Sequence, residues 1–221
     1  MLAAVHFLGE ELDQYISGYR ERIISFGAGV TITYIFVLLL PEFHGIISES
    51  SELIFAFPLI GFSSIHLIEK YIAQSDLSSD KVRKENTEIH SLVLFGYHGA
   101  IGYLIASLSN QSISSGILFI LPMIIHIGVS SFSLSELHQS LSERIESKIM
   151  ISSAPILGVS LYYSGAISSE LFNPIFGTII GIIFYVAIRD SIPQGEEGRP
   201  NEYLLGVITY LAIIIAVRTL S

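Results

Sequence analysis

The sequence predicts an all-α integral membrane protein built as a bundle of seven transmembrane helices. Composition is the first reason: 51% of residues are hydrophobic, 14% are charged and the mean hydropathy is +0.63, values unlike those of a soluble domain. The second reason is a series of uncharged runs close to the ~20 residues that a helix needs to cross ~30 Å of hydrocarbon. Because these runs lack the alternating pattern of a membrane barrel, strands are disfavoured.

These runs divide the chain into a short leading segment and one membrane domain. In residues 1–22, apolar side chains recur at helical spacing between charged ones, which indicates an amphipathic segment on the cytoplasmic face. We expect residues 23–221 to form the membrane domain, since no linker-like stretch interrupts them. Its spans are predicted at about 23–41, 53–71, 89–109, 112–136, 149–167, 171–190 and 203–220.

Five of the spans follow directly from runs without charge. The first is uncharged from Ile23 to Leu40, while the second, from Leu53 to Ile68, is short and must include flanking residues such as Glu69. Glu170 separates the fifth span from the sixth. The seventh is also short, and the long side chain of Arg218 can reach from it to the membrane surface.

The third and fourth spans share the longest uncharged stretch, since no Asp, Glu, Lys or Arg occurs between Ile89 and Ser135. Within it, Ser, Asn, Gln and Gly cluster between Ser107 and Gly116, a composition that favours a tight turn. We therefore predict an antiparallel helical hairpin. The stretch also contains His90, His98 and His126, and an ionisable side chain inside a membrane is either held by a partner or serves a passing ion or proton.

The distribution of basic residues tests this number of spans, because cytoplasmic loops of membrane proteins collect Lys and Arg. With the amino terminus in the cytoplasm, every Lys and Arg except Arg218 falls on the cytoplasmic side. One missed span would invert every later loop and remove this asymmetry. We therefore expect a protein of the cell membrane whose amino terminus is cytoplasmic and whose carboxyl terminus lies outside.

Composition also argues against several classes of function. The chain has no cysteine, so a metal would need histidine, carboxylate, hydroxyl, amide or backbone ligands. The net charge of -9 argues against a nucleic-acid partner. The sequence contains no glycine-rich phosphate loop, no ordered Ser/His/Asp arrangement and no HExxH motif, so we expect neither an enzyme nor a bound cofactor.

Several short motifs along the chain resemble those of one transporter family. Together, over about residues 23–220, they resemble helices two to eight of the Zrt/Irt-like (ZIP) divalent-metal transporters. The motifs are Phe-Gly-Ala-Gly-Val at 26–30, Leu-Leu-Leu-Pro-Glu at 38–42, Phe57 to Glu69 with Gly61, Ala-Pro-Ile-Leu-Gly at 154–158, Gly177-Thr178 through Phe184-Tyr185-Val186-Ala187 to Ile192-Pro193, and Gly206.

The resemblance implies a transporter of a divalent cation such as zinc, with that cation as substrate. ZIP proteins have eight spans with both ends outside, so a chain that lacks the first span would have seven and an amino terminus inside. This is the topology that the basic residues indicate independently. The variable hydrophilic loop of the family corresponds to residues 74–88, the longest polar segment of this chain.

The family's metal ligands lie on its fourth and fifth helices, where a ligand pair is followed one turn later by a glutamate. Residues at i and i+4 share a helix face and can hold one cation. The matching positions here are His98 with Gly102 and His126 with Ser130. The resemblance thus makes His98, His126 and Ser130 the candidate metal site, but both carboxylates are absent. Neutral ligands cannot compensate the charge of a divalent cation in a low-dielectric site.

His98 and His126 are also expected at the same depth in the bilayer. They lie fourteen residues before and after Ser112, the middle of the predicted turn, which places each ~21 Å along its helix at ~1.5 Å per residue. Such a pair could bind Zn²⁺ weakly or relay protons through its imidazoles. Alternatively, each histidine packs inside the bundle and hydrogen-bonds a serine of the fourth span or a tyrosine such as Tyr97 or Tyr103.

Weaker candidates lie at the predicted cytoplasmic ends of the helices, where they could receive an exiting cation. The alternative is a solvated polar rim without any ligand role. On the outer side, acidic residues such as Glu42 and Glu170 lie in loops that lack basic residues and could concentrate cations. The cytoplasmic candidates are His66, Glu69, His90, Glu136 and His138.

Two functions remain open at this point. The first is ZIP-like transport of a divalent cation through a carboxylate-poor site, and the second is a transport-inactive ZIP-like protein with a binding, sensing or assembly role. The lipid bilayer is the expected partner in both cases. Glycine-rich helix faces would also permit a homodimer.

Overall fold

In the computed structural model, the chain is all-helical over the residues that the structure describes, which are 17–47, 52–74, 80–137, 145–191 and 198–220. This part of the chain forms seven continuous helices. They are α1 (Arg20–Tyr34, continued by a π-helical turn at Ile35–Leu39 and by Leu40–Ile47), α2 (Ala56–Gln74), α3 (Asp80–Gln111), α4 (Ile113–Leu137), α5 (Ile145–Tyr163), α6 (Ser169–Val186, continued by a π-helical turn at Ala187–Ser191) and α7 (Pro200–Leu220). Short 3₁₀ turns at Ser17–Tyr19 and Glu52–Phe55 precede α1 and α2.

Four of these helices are long and apolar enough to cross a membrane. Shorter apolar segments occur in α4 and α5, at Ile113–Gly128 and Ile149–Tyr163. The expectation of an all-α protein with several helices suited to span a membrane is therefore confirmed, while the crossing count of seven stays a prediction. The four long spans are Arg20–Gly45, Leu53–Tyr71, Glu170–Arg189 and Pro200–Leu220.

Helices α3 and α4 join through a turn centred on a single residue, Ser112. Its Oγ accepts a hydrogen bond from the Ser115 backbone N–H at 3.0 Å and donates one to the Ser115 Oγ at 2.8 Å, so it caps the start of α4. Gly116 then lies so close to Ser109 of α3 that a Cβ on Gly116 would overlap the serine side chain. The two helices thus fold back on each other at the polar cluster from which the turn was predicted.

Helices α3 and α5 touch backbone to backbone. A Cβ on Gly102 would overlap the carbonyl of Pro155, and a Cβ on Gly158 would overlap the carbonyl of Gly99. Because each helix places a glycine against the backbone of the other, the two axes approach more closely than side chains would allow. These two helices make the most extensive contact in the described part of the bundle.

Two further helix pairs use the same reciprocal contact. In α1 and α7, Gly29 lies against the backbone of Tyr203 and Gly206 against that of Phe26. In α2 and α6, Gly61 lies against Thr178 and Gly181 against Pro58. In the described part of the chain, the tight pairs are therefore first with seventh, second with sixth and third with fifth, and in sequence order they are nested around α4.

Helix α4 is held by contacts with α1, α3, α7 and the π-helical turn after α6. Its buried face includes Phe119, which lies 5.5 Å from the Tyr34 ring of α1, centroid to centroid. The Tyr210 hydroxyl of α7 donates a hydrogen bond to the Leu118 carbonyl of α4. These contacts fix the rotation of α4 and hence the direction in which His126 points.

The two ends of the bundle differ in charge. At the end where α1 begins, Arg22 pairs with Glu202 at 3.5 Å, Arg199 pairs with Glu21 at 3.1 Å, and the Arg199 N–H donates to the Ser25 Oγ. We call this the basic end. The opposite end contains the Ser112 turn, and we call it the hairpin end.

The close contact at Gly102 predicts that alanine at this position destabilises the protein, although alanine has a higher helix propensity than glycine. Alanine normally stabilises a helix by up to about 1 kcal/mol relative to glycine. In Gly102→Ala, however, the new methyl group must displace the Pro155 carbonyl, so we expect the free energy of unfolding to fall by about 1–3 kcal/mol. Circular dichroism of the protein in detergent during denaturation would measure the change.

Gly96→Ala on the same helix is the matched control. Gly96 is exposed, and nothing lies within 4 Å of its added Cβ. This variant should be at least as stable as the wild type. Equal effects of the two substitutions would contradict the close-contact interpretation.

Candidate functional site

The two central histidines lie in the core of the hairpin. His98 of α3 is 4% exposed and His126 of α4 is 1% exposed, so neither ring reaches the surface of the bundle. Both occupy the part of the sequence that is free of charged residues. An imidazole in such a position is costly to charge, and it is usually fixed by specific contacts.

One ring nitrogen of His98 is fixed by its own helix. The Nδ1 atom lies 2.8 Å from the Leu94 carbonyl oxygen, one turn earlier in α3. Since a carbonyl can only accept, the Nδ1 carries the proton and donates it to this bond. In the neutral imidazole, Nε2 is then the nitrogen with a lone pair, and the ring cannot rotate without losing the Leu94 contact.

Tyr97 connects the two histidines. Its ring lies 5.3 Å from the His98 ring and 6.3 Å from the His126 ring, centroid to centroid, with interplanar angles of 73° and 77°. Both contacts are edge-to-face, which is a favourable arrangement of aromatic rings. Tyr97 is itself buried at 6% exposure, so the three rings form one enclosed aromatic cluster between α3 and α4.

Gly102 is the position at which the family resemblance would require a carboxylate. The structure places it against the carbonyl of Pro155, where even a Cβ would overlap the α5 backbone. A glutamate therefore cannot be accommodated here unless α5 moves. The same glycine therefore permits the close α3–α5 contact and leaves this position without a side-chain ligand.

Of Ser130, the third residue of the predicted central site, the structure describes only the backbone. It lies within α4, one turn after His126, so its backbone is on the same helix face. Its side chain is outside what the structure describes, as are the side chains of His90 in α3 and Glu136 in α4. His138 and residues 1–16 lie outside the described residues altogether.

At the basic end, His66 and Glu69 come together, but with partners that had not been predicted. Tyr185 of α6 donates a hydrogen bond to the Glu69 Oε2 at 2.9 Å, and its oxygen lies 3.3 Å from the His66 Nδ1. Because the phenol proton goes to Glu69, the His66 Nδ1–H donates to the Tyr185 oxygen. Arg189 forms an ion pair with the same Glu69 carboxylate.

This second cluster is suited to joining helices rather than to holding a cation. The guanidinium of Arg189 compensates the Glu69 charge, so the carboxylate does not need a metal for neutrality. Among the described side chains, no group of three His, Asp or Glu residues converges as a metal site. The central cluster therefore contains the only two histidines that the described part of the chain brings together in its core.

Tyr97, Tyr185 and Arg189 are the contacts that sequence reasoning did not assign to a site. Tyr97 had a detectable signal, because it precedes His98 and lies at the same distance from Ser112 as His126, within one residue. Tyr185 and Arg189 had a weaker one. Their spacing of four places both on one face of α6, but nothing in the sequence indicates that this face meets α2.

Comparison with known proteins adds no relative. No protein-family model, no curated protein and no solved structure matches this chain. The similarity to ZIP transporters consequently rests on the short motifs and on their order.

The ion pair between Glu69 and Arg189 can be measured by a double-mutant cycle. Their side chains are 20% and 32% exposed, so the pair is partly shielded from water. We expect Glu69→Gln and Arg189→Gln to show a coupling of about 1–2 kcal/mol in the free energy of unfolding. The same cycle on Arg22 and Glu202, whose side chains are 59% and 27% exposed, should give less than about 0.5 kcal/mol. A Glu69–Arg189 coupling no larger than the Arg22–Glu202 coupling would contradict the interpretation that this ion pair joins α2 and α6.

Proposed function

We propose that this chain is a ZIP-like membrane transporter of a borderline divalent cation such as Zn²⁺, with His98 and His126 as its ligands. One observation carries the proposal: His98 donates Nδ1–H to the Leu94 carbonyl within an aromatic cluster that includes His126. In metal-binding histidines, the ring nitrogen that does not bind the metal typically donates its N–H in this way. This bond fixes the tautomer and raises the basicity of the ligating nitrogen.

The position of the cluster supports a transport role. Both histidines are buried in the one long stretch that lacks charged residues, and the hairpin turn lies equally far from each along the chain. A site near the middle of a bilayer is accessible to a cation from either side if helices move. Tyr97 contacts both rings, so a cation that binds between the two histidines would have to displace it.

The affinity of such a site must be low. Two neutral imidazoles and the Ser130 hydroxyl supply no negative charge, so the dehydration of a divalent cation is only partly compensated. Low affinity is compatible with transport, because the ion must leave as well as enter. Imidazole ligands also favour Zn²⁺ over harder cations such as Mg²⁺ and Ca²⁺.

The charge distribution supports an orientation with the basic end in the cytoplasm. Arg20, Arg22, Arg189 and Arg199 belong to the basic end, whereas Arg218 lies in the last turn of α7 at the hairpin end. Under the positive-inside bias, the amino terminus of α1 is then cytoplasmic and the carboxyl terminus outside. The hairpin turn at Ser112 would face the exterior of the cell.

A second candidate function is supported by the contact at Gly102. Because α5 fills the place of the first carboxylate, the same scaffold could have exchanged transport for rigid helix packing. In that case the chain is a transport-inactive membrane protein with a binding, sensing or assembly role. Flux measurements separate the two functions.

Zinc uptake into proteoliposomes tests the main proposal. We expect His98→Gln and His126→Gln each to lower the uptake rate at least about tenfold, since each removes one of only two nitrogen ligands. His44→Gln, an exposed histidine at the hairpin end of α1, is the control and should retain wild-type flux. Absence of wild-type uptake, together with absence of histidine-dependent zinc binding by calorimetry, would rule out the transporter and leave the second candidate.

A variant that adds a carboxylate to the candidate site should gain zinc affinity, whereas the histidine variants should lose zinc uptake. Ser130→Glu places a charge one turn after His126, and we expect it to strengthen zinc binding at least about tenfold by compensating the cation. Gly102→Glu should give folded protein in lower yield and no gain, because α5 occupies that space. Calorimetric titration of both variants measures the difference. A gain from Gly102→Glu would mean that α5 is not fixed at this contact.

A further inference from the structure

A cavity of ≈ 330 Å³ opens at the hairpin end between α1, the α3–α4 turn, α6 and α7. It is distant along the helices from the histidine cluster, and none of the candidate metal ligands lines it. Its volume lies at the lower end of the range of small-molecule sites. The cavity therefore has room for a compact solute of its own.

The cavity presents two opposite charges from two different helices. Glu42 of α1 and Arg218 of α7 both line it, and neither forms an ion pair with any side chain in the described ranges. Arg218 disfavours a free divalent cation, while Glu42 disfavours a simple anion. A solute that carries both charges satisfies each side chain.

The rest of the lining consists of hydroxyl groups, from Tyr34 and from Ser112, Ser114 and Ser115 of the α3–α4 turn, and of an apolar wall. Tyr34 is only 3% exposed and lines the cavity, yet its hydroxyl forms no hydrogen bond with any of the residues that the structure covers. A hydroxyl at a cavity wall that has no protein partner can form a hydrogen bond with a ligand. Leu38, Leu108 and Phe176 supply an apolar surface beside it.

We propose that this cavity binds a small zwitterion with an apolar side chain, of the α-amino acid class. The ligand carboxylate meets Arg218, its ammonium group meets Glu42, and its apolar part lies against the leucines and Phe176. Tyr34 hydrogen-bonds one of the charged groups. The site is separate from the histidine cluster, and its existence does not depend on cation transport.

Calorimetric titration of the purified protein in detergent with L-leucine tests the proposal. Isocaproate lacks the ammonium group of leucine and isoamylamine lacks its carboxylate, so these two probes isolate each charge. We expect leucine to bind at least about tenfold more tightly than either, which corresponds to the loss of one charge-assisted hydrogen bond. Absence of leucine binding, or equal affinity for all three probes, would overturn the proposal without any variant.

Substitutions then assign the two charges. Glu42→Gln should weaken leucine binding about tenfold and remove the preference for leucine over isocaproate. Arg218→Gln should remove the preference over isoamylamine, and Tyr34→Phe, which keeps the ring, should weaken leucine binding severalfold. Glu202→Gln at the basic end is the control and should bind leucine as the wild type does. Unchanged preferences in Glu42→Gln and Arg218→Gln, with both proteins folded, would contradict the assignment.

Discussion

The close approach of helix backbones through reciprocal glycines is the constraint on which the rest of this structure depends. In a bilayer, apolar side chains gain little by leaving lipid for protein, so van der Waals packing and hydrogen bonds must hold helices together. Gly102 with Gly158, Gly29 with Gly206 and Gly61 with Gly181 provide that packing in three pairs. Helix α4 packs against α1, α3, α7 and the π-helical turn after α6, and its buried face is completed by aromatic contacts and by the Tyr210 hydrogen bond. The position of His126 thus depends on contacts of α4 with helices that the glycine pairs hold in place.

The same constraint limits the chemistry that the core can perform. A residue that serves as a packing glycine cannot also serve as a side-chain ligand, and Gly102 lies where the proposed resemblance to ZIP transporters would require a carboxylate. The remaining polar groups of the core are neutral, so the interior can hold imidazoles and hydroxyls without the desolvation cost of permanent charges. Charged side chains are instead paired at the basic end, where Glu69 and Arg189 neutralise each other. The molecule separates an uncharged centre from charged ends.

Local features of this fold could be predicted from the sequence, and non-local ones could not. The turn at Ser112 was visible as a cluster of Ser, Asn, Gln and Gly. Counting residues from this turn also predicted that His98 and His126 lie at similar levels of the hairpin, where Tyr97 contacts both rings. Helix pairing was not visible, because helices that are apolar all round give no indication of which face meets which neighbour. For the same reason the contact of Gly102 with Pro155 could not be predicted. The Arg189 partner of Glu69, more than a hundred residues away, required the tertiary structure.

The nested pairing of helices has a consequence for biosynthesis. Ribosomes deliver a membrane protein from its amino terminus, so α1 enters the bilayer long before α7, the partner whose Gly206 it needs. Helices α3, α4 and α5 emerge consecutively and can associate first, followed by α2 with α6 and finally by α1 with α7. Until the last helix arrives, the glycine face of α1 is exposed to lipid or to other proteins. A chain that stops before Pro200 would lack α7 and would leave α1 without its partner, so correct assembly of α1 can be completed only after α7 has been made.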